Sequence, residues 1–204
     1  MLQTTSLKDF IRESEAVVRK YSTESEMMLH INPLLEKLLA SKSVPSEALK
    51  PRKDRFAMNL LHMPEDRIFS IIGGVWQPHQ TTPIHDHLTW ALIGVYAGQE
   101  REAIYRRIDD SSDPSHARLE KVSERTNIPG HVTVLGRAGI HKVDNPSHET
   151  TTSIHVRTRY RQYGKALLRS RNWRNWEVSL RLLQRSTRPG PVLAKSANLR
   201  SLRP

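Results

Sequence analysis

The sequence predicts a mainly β protein, a small barrel or jelly roll, preceded by a helical segment. Three observations predict it. From Arg67 onwards, short apolar or alternating runs recur about every 8–12 residues between Gly, Pro, Asp, Asn and Ser, the grammar of an all-β barrel or sandwich. Before Arg67 the apolar residues are spaced by three and four instead, as on one face of a helix. A chain of 204 residues with 37% hydrophobic content is enough for one substantial core and an appendage.

Along the chain, "SLKDFIRESEAVVRKY" and "SEMMLHINPLLEKLLAS" predict helices over 6–21 and 25–41, with Ser6 and Ser25 as N-caps. Pro33 is expected to interrupt or restart the second. Pro45 and "LKPRKD" predict a turn, and "PSEALK" a short third helix. The strand-like runs follow: "RIFSIIGGVWQP", "WALIGVYAG", "REAIYRRI", "ARLEKVSERTNIP", "HVTVLG", "IHKVDN" and "TTTSIHV". After Val156 this pattern dissolves, leaving a helix expected over 164–185 and disorder over 186–204. The expected organisation is a helical segment at 1–65 packed on the barrel, a barrel core at 66–156 and a basic, atypical tail at 157–204.

Composition narrows the chemistry. Cysteine is absent, so there is no disulfide framework, thiolate ligand or cysteine nucleophile, and any metal site must use histidine and carboxylate. The first twenty residues scatter acids and bases without the apolar stretch of a signal peptide, and no apolar run of about 18 residues offers a membrane span. A cytoplasmic location is the expectation. The net charge of +11 would ordinarily point to nucleic acid. Its distribution argues otherwise: from Arg157 on there are eleven Arg, two Lys and one acid, Glu177, which leaves the first 156 residues at −1.

"TPIHDHLTW" places two histidines either side of Asp86. In a strand, His85 and His87 share a face while Asp86 points away, and Pro83 helps fix the start of the strand. Two imidazoles so placed can converge on one ion, although an isolated H-x-H is more often solvent-facing polarity. A third ligand must come from elsewhere, and His141, at the start of the short run "IHKVDN", is the best candidate. The glutamate that many barrels add a few residues after such a pair is missing from "LTWALIG".

The elements W-x-P-x-x-x-T-P-I-H-D-H-x-x-W, I-H-x-V-x-N-P and S-I-H-V, between Trp76 and Val156, together resemble the bacterial type of the cysteine dioxygenase family of thiol dioxygenases, which are cupins, and the resemblance covers roughly residues 5–156. The family includes cysteine and 3-mercaptopropionate dioxygenases. The resemblance implies a double-stranded β-helix barrel in which His85, His87 and His141 bind Fe(II) and a small thiol reacts with O2 to give the sulfinic acid. It also implies that Ser153 and His155, matching the first two members of S-x-H-x-Y, form a hydrogen-bond chain towards the iron.

Two positions depart from that pattern. Arg157 stands where the tyrosine is expected, and Met58 where some members hold the substrate carboxylate with arginine or glutamine. One set of codons for Val156 to Ser170, read a single base later, encodes Y-G-P-D-I-G-N-T-E-R-H-F-Y-D, which continues the family pattern. An out-of-frame origin for the last 48 residues follows as a hypothesis, with an open barrel edge and weak or absent turnover as its expectations. Two other functions remain open. One is a nucleic-acid-associated protein using the basic tail with Tyr160, Tyr163, Trp173 and Trp176; the other is a metal-binding cupin without chemistry. A membrane partner is not expected. Among the remaining candidates, Trp76 and Trp90 are expected in the core, His79 in an exposed turn, His30, His62, His116, His131 and His148 at surface or helix positions, and Glu100 in a strand-supporting role.

Overall fold

The computed structural model describes residues 5–111 and 116–158 in full, and the backbone of two later strands. Helix α1 (Leu7–Lys20) starts at Ser6, whose hydroxyl accepts from the Asp9 backbone while the Asp9 carboxylate reaches back, a complete capping box. Helix α2 (Glu24–Ser41) is capped by Thr23 rather than Ser25 and runs unbroken through Pro33. Pro33 and Leu29 both face solvent, so the Leu29 carbonyl that loses its helical partner is on the wet side of the helix. "PSEALK" forms a single 3-10 turn at Ser46–Ala48.

The strands are β1 (Ala57–His62), β2 (Phe69–Trp76), β3 (His85–Asp86), β4 (Ala91–Ala97), β5 (Glu100–Arg107), β6 (His116–Asn127), β7 (Val132–Leu135), β8 (Ile140–Asp144), β9 (Thr151–Thr158), β10 (Ala166–Asn172) and β11 (Glu177–Leu182). One antiparallel sheet has the order β1-β2-β9-β4-β7; the second runs β10-β11-β6-β5-β8-β3 and closes where β10 meets β3. The fold is therefore mainly β with two N-terminal helices, the double-stranded β-helix class expected of a cupin. The helix expected over 164–185 is replaced by β10 and β11, which pair with β3 and β6. Backbone groups at a strand edge need partners, and that demand overrides the local helical spacing. The same pairings cover the barrel edge that was expected to stay open. Residues 186–204 and the aromatic residues at 160, 163, 173 and 176 lie outside the described residues. Among the described residues no helix is long and apolar enough to cross a membrane.

The two faces of the first sheet do different jobs. Phe10, Ile31, Leu35, Leu38 and Leu39 of the helices bury themselves against Phe69, Ile71, Leu92, Tyr96, Ile154 and Val156. On α2 those positions follow the i, i+4, i+7, i+8 stripe that faces one partner. The alternate residues of β4 and β9 point the other way, into the barrel: Ala91 and Ile93 meet Ile104 of the second sheet, while Ser153 and His155 are buried polar groups. The helices thus fix one side of β9 and leave its opposite side free for polar chemistry. Leu39→Ala should cost about 2–5 kcal/mol in chemical denaturation, and Leu29→Ala on the exposed side less than about 0.5 kcal/mol.

Candidate metal centre

The site begins with a backbone zipper. The Thr82 N–H donates to the Val143 carbonyl at 2.8 Å, and Asn145 and Gln80 pair one step earlier at 3.0 Å. The Thr82 hydroxyl accepts from the Val143 N–H at 2.9 Å, which satisfies a second backbone group. This register carries the chain into β3, where His85 is paired directly across from His141. Directly opposed residues in an antiparallel pair share a face with their Cβ atoms about 4.5–5.5 Å apart. His87 lies just past the end of β3, and its neighbour Leu88 takes a left-handed backbone angle, φ 54°.

As a result, one ligand nitrogen from each of His85, His87 and His141 lies within 4.8 Å of the other two. The rings sit with centroids 4.9 Å apart for His85 and His87, 4.6 Å for His85 and His141, and 5.1 Å for His87 and His141. This group could hold a metal ion. Asp86 projects elsewhere, as the alternation requires, and burial pushes its carboxyl up to about 6.

Hydrogen bonds at the outer nitrogens orient the rings. His141 Nδ1 lies 2.9 Å from Glu102 Oε1 and His85 Nδ1 lies 2.9 Å from the Pro83 carbonyl. Both oxygens are acceptors, so both Nδ1 atoms donate to them, and in a neutral ring that leaves the lone pair on Nε2. Burial, reinforced by the charges of His85, His141, His155 and Arg157, drives the His87 pKa far down, so this ring is neutral. His87 Nε2 faces His141 Nε2 at 3.0 Å, and His87 Nδ1 is buried without a hydrogen-bond partner. At that distance one ring can donate to the other, and two Nε2 lone pairs in the same place would suit a shared cation.

Glu102 is the anchor that sequence reasoning missed. Its carboxylate accepts from Thr133 at 2.7 Å, Asn127 at 3.0 Å and Arg125 at 3.1 Å, besides His141. Burial works to raise this carboxyl, but the hydrogen bonds outweigh it and hold it at about 2. The readable signal was the alternation Glu100-Arg101-Glu102 in β5, which sends both acids inward. Glu100, expected to support its strand, lies in β5 and is buried at 1% exposure; its Oε1 has no partner among the described residues, and it sits beside Ser153.

Ser153 and His155 are brought together as expected, with Oγ and Nε2 2.9 Å apart. The Trp76 ring stacks on His155 at 5.9 Å. Gly74 allows this, because a Cβ there would come within 2.3 Å of the Trp76 ring and 3.0 Å of His155 Nε2. Trp90 belongs to the core under the helices, so the two tryptophans differ in role. Met58, Gly74, Ser153 and Val95 form one cross-strand row, which puts Met58 on the barrel-facing side without a group to hold an anion. His79 is an exposed turn residue with φ 64°, and His30, His116 and His148 are also exposed.

Scanned against known protein families, the chain matches none. Among solved structures it is similar to an uncharacterised conserved protein with a double-stranded β-helix domain from Klebsiella pneumoniae, at 15% identity over 60% of this chain and 91% of that one, TM-score 0.44. It is also similar to a cupin domain of an XRE-family transcriptional regulator from Enterobacter cloacae, at 15% identity over 52% and 98%, TM-score 0.36. A third is an oxalate oxidase, at 17% identity over 57% and 59%, TM-score 0.42.

Burial pushes the Glu100 carboxyl up to about 7, against the opposing Ser153 contact and with the Glu102 charge adding to the rise. The folded chain therefore holds this proton more tightly than the unfolded one. Its contribution to stability is complete below about 4.5, the ordinary value, and is lost as pH rises through about 7. The melting temperature should fall more steeply between pH 5 and 8 for the native chain than for Glu100→Gln; parallel profiles would contradict the assignment.

Proposed function

We propose that the chain is an Fe(II)-dependent thiol dioxygenase that converts a small thiol acid, of the cysteine or 3-mercaptopropionate type, with O2 to the sulfinic acid. The observation that carries this reading is a cluster of three imidazoles, two buried and one half-buried, whose ligand set includes no carboxylate. His85, His87 and His141 would hold the metal. When bound, Fe(II) supplies Lewis-acid binding of the thiol sulfur and one-electron exchange with O2. Three neutral ligands leave the cation's charge uncancelled, which favours an anionic thiolate over a neutral thiol. Glu102 fixes the His141 ring and tautomer and raises its basicity.

The remaining residues handle water and protons. Trp76, Ile93 and Ala91 line the barrel side with apolar surface and exclude bulk water. Ser153 and His155 can hold a proton between Oγ and Nε2 at the edge of the site, in reach of a substrate as it loses its thiol hydrogen. The resemblance in W-x-P-x-x-x-T-P-I-H-D-H-x-x-W and S-I-H-V supports the choice of a thiol and of iron.

Anaerobically iron-loaded protein should bind about one metal per chain and consume O2 only with a thiol acid present, accumulating the sulfinic acid in step. Glu102→Gln should weaken metal binding about 10–100-fold in equilibrium dialysis. A chain that binds iron but shows no thiol-dependent O2 uptake with either thiol would instead be a non-catalytic metal-binding cupin. Nucleic-acid binding that falls steeply with salt and disappears on truncation after residue 156 would support the tail reading in its place.

A further inference from the structure

Among the described residues Arg157 is a cation without an anion. It lies on β9 two residues beyond His155 and four beyond Ser153, so the three share the barrel-facing side of the strand at about 6.5–7 Å intervals. Its neighbours across the sheet are Ser70 on β2 and Ala91 on β4, neither of which can neutralise it. Its charge reaches His87 of the three-histidine cluster, and burial is the cause that lowers its own pKa. Among the described residues it forms no ion pair or hydrogen bond.

The acids that face this region are already committed. Glu102 is held by His141, Arg125, Asn127 and Thr133. Glu100 is buried beside Ser153, and burial raises its carboxyl to about 7, so it is only partly ionised near neutral pH. Asp86 projects away from the cluster, and Asp144 on β8 pairs with Arg101. Outside the described side chains the sequence contains two more acidic residues, Asp113 and Glu177. A desolvated guanidinium left unpaired is costly, and an anion that fits it recovers that cost.

From this we infer that Arg157 is the carboxylate-binding group of the site, a specificity-determining residue that selects a small thiol bearing an acid and no amine. The inference rests on the proposed thiol reading. A planar guanidinium matches a carboxylate by two parallel N–H···O bonds, and Met58 offers no competing anchor. The thiolate would meet the three-imidazole centre while the acid, two carbons away, meets Arg157. An ammonium meets no unpaired, fully ionised acid there, because Glu102 is paired, Glu100 is only partly ionised and Asp86 is turned away. The same geometry holds whatever the origin of the codon at position 157.

The test is calorimetric titration of the full chain, anaerobic and iron-loaded, with 3-mercaptopropionate, its neutral isostere 3-mercaptopropionamide, cysteine and propionate. The acid should bind about 10–100-fold more tightly than the amide, and cysteine should bind more weakly than 3-mercaptopropionate. Arg157→Met should level acid and amide, and Arg157→Lys should keep part of the preference. Arg157→Leu provides a second uncharged variant with the same expected levelling, and neither side chain can donate to a carboxylate. Retention of the full acid preference by the uncharged variants, or its absence in the native chain, overturns the inference. Arg157-dependent propionate binding with no added affinity for the thiol would leave the anchor standing and remove the thiol reading.

Discussion

The short pairing of β3 with β8 is the constraint on which the site depends. Only two residues of β3 make ladder contacts, yet they set His85 opposite His141, and the Thr82–Val143 and Gln80–Asn145 bonds hold the approach in register. A slip by one residue would turn His85 outward and bring Asp86 into its place. The Pro83 carbonyl and the Glu102 carboxylate then lock the two rings so that their Nε2 atoms face inward. Backbone register thus becomes ligand geometry.

Electrostatics divides the barrel interior into two regions. Around Glu102 every charge has a partner, and the carboxylate stays ionised despite its burial. Around His87, Glu100 and Arg157 the described residues leave groups incompletely partnered: an imidazole with one orphan nitrogen, a carboxyl with one orphan oxygen and a guanidinium without an acid. Groups left in that condition inside a folded protein mark the place where binding energy is available to a ligand. A metal cation and an anionic substrate together would satisfy the histidines and the arginine.

Much of this was legible in the sequence, for identifiable reasons. Period-two alternation and regular turn residues exposed the strands, and Ser6 announced the first helix. His85, His87 and His141 could be named together because strand alternation and a short later β run limit where ligands can come from. Pro33 was misread because a proline on the wet side of a helix costs less than one against the core. The segment after residue 164 was misread because its helical spacing is local, whereas the need of β3 and β6 for partners arises only in three dimensions. Glu102 went unnoticed for the same reason: an acid in a strand discloses its histidine partner only when the neighbouring strand is in place.

The central claim, that three imidazoles meet at one cation, is tested most directly by X-ray absorption spectroscopy of the Fe(II)-loaded chain. The account predicts nitrogen scatterers at about 2.1 Å with the multiple-scattering pattern of three imidazoles, and one imidazole fewer in His141→Ala. A spectrum dominated by water and carboxylate oxygen, unchanged by that substitution, would contradict it.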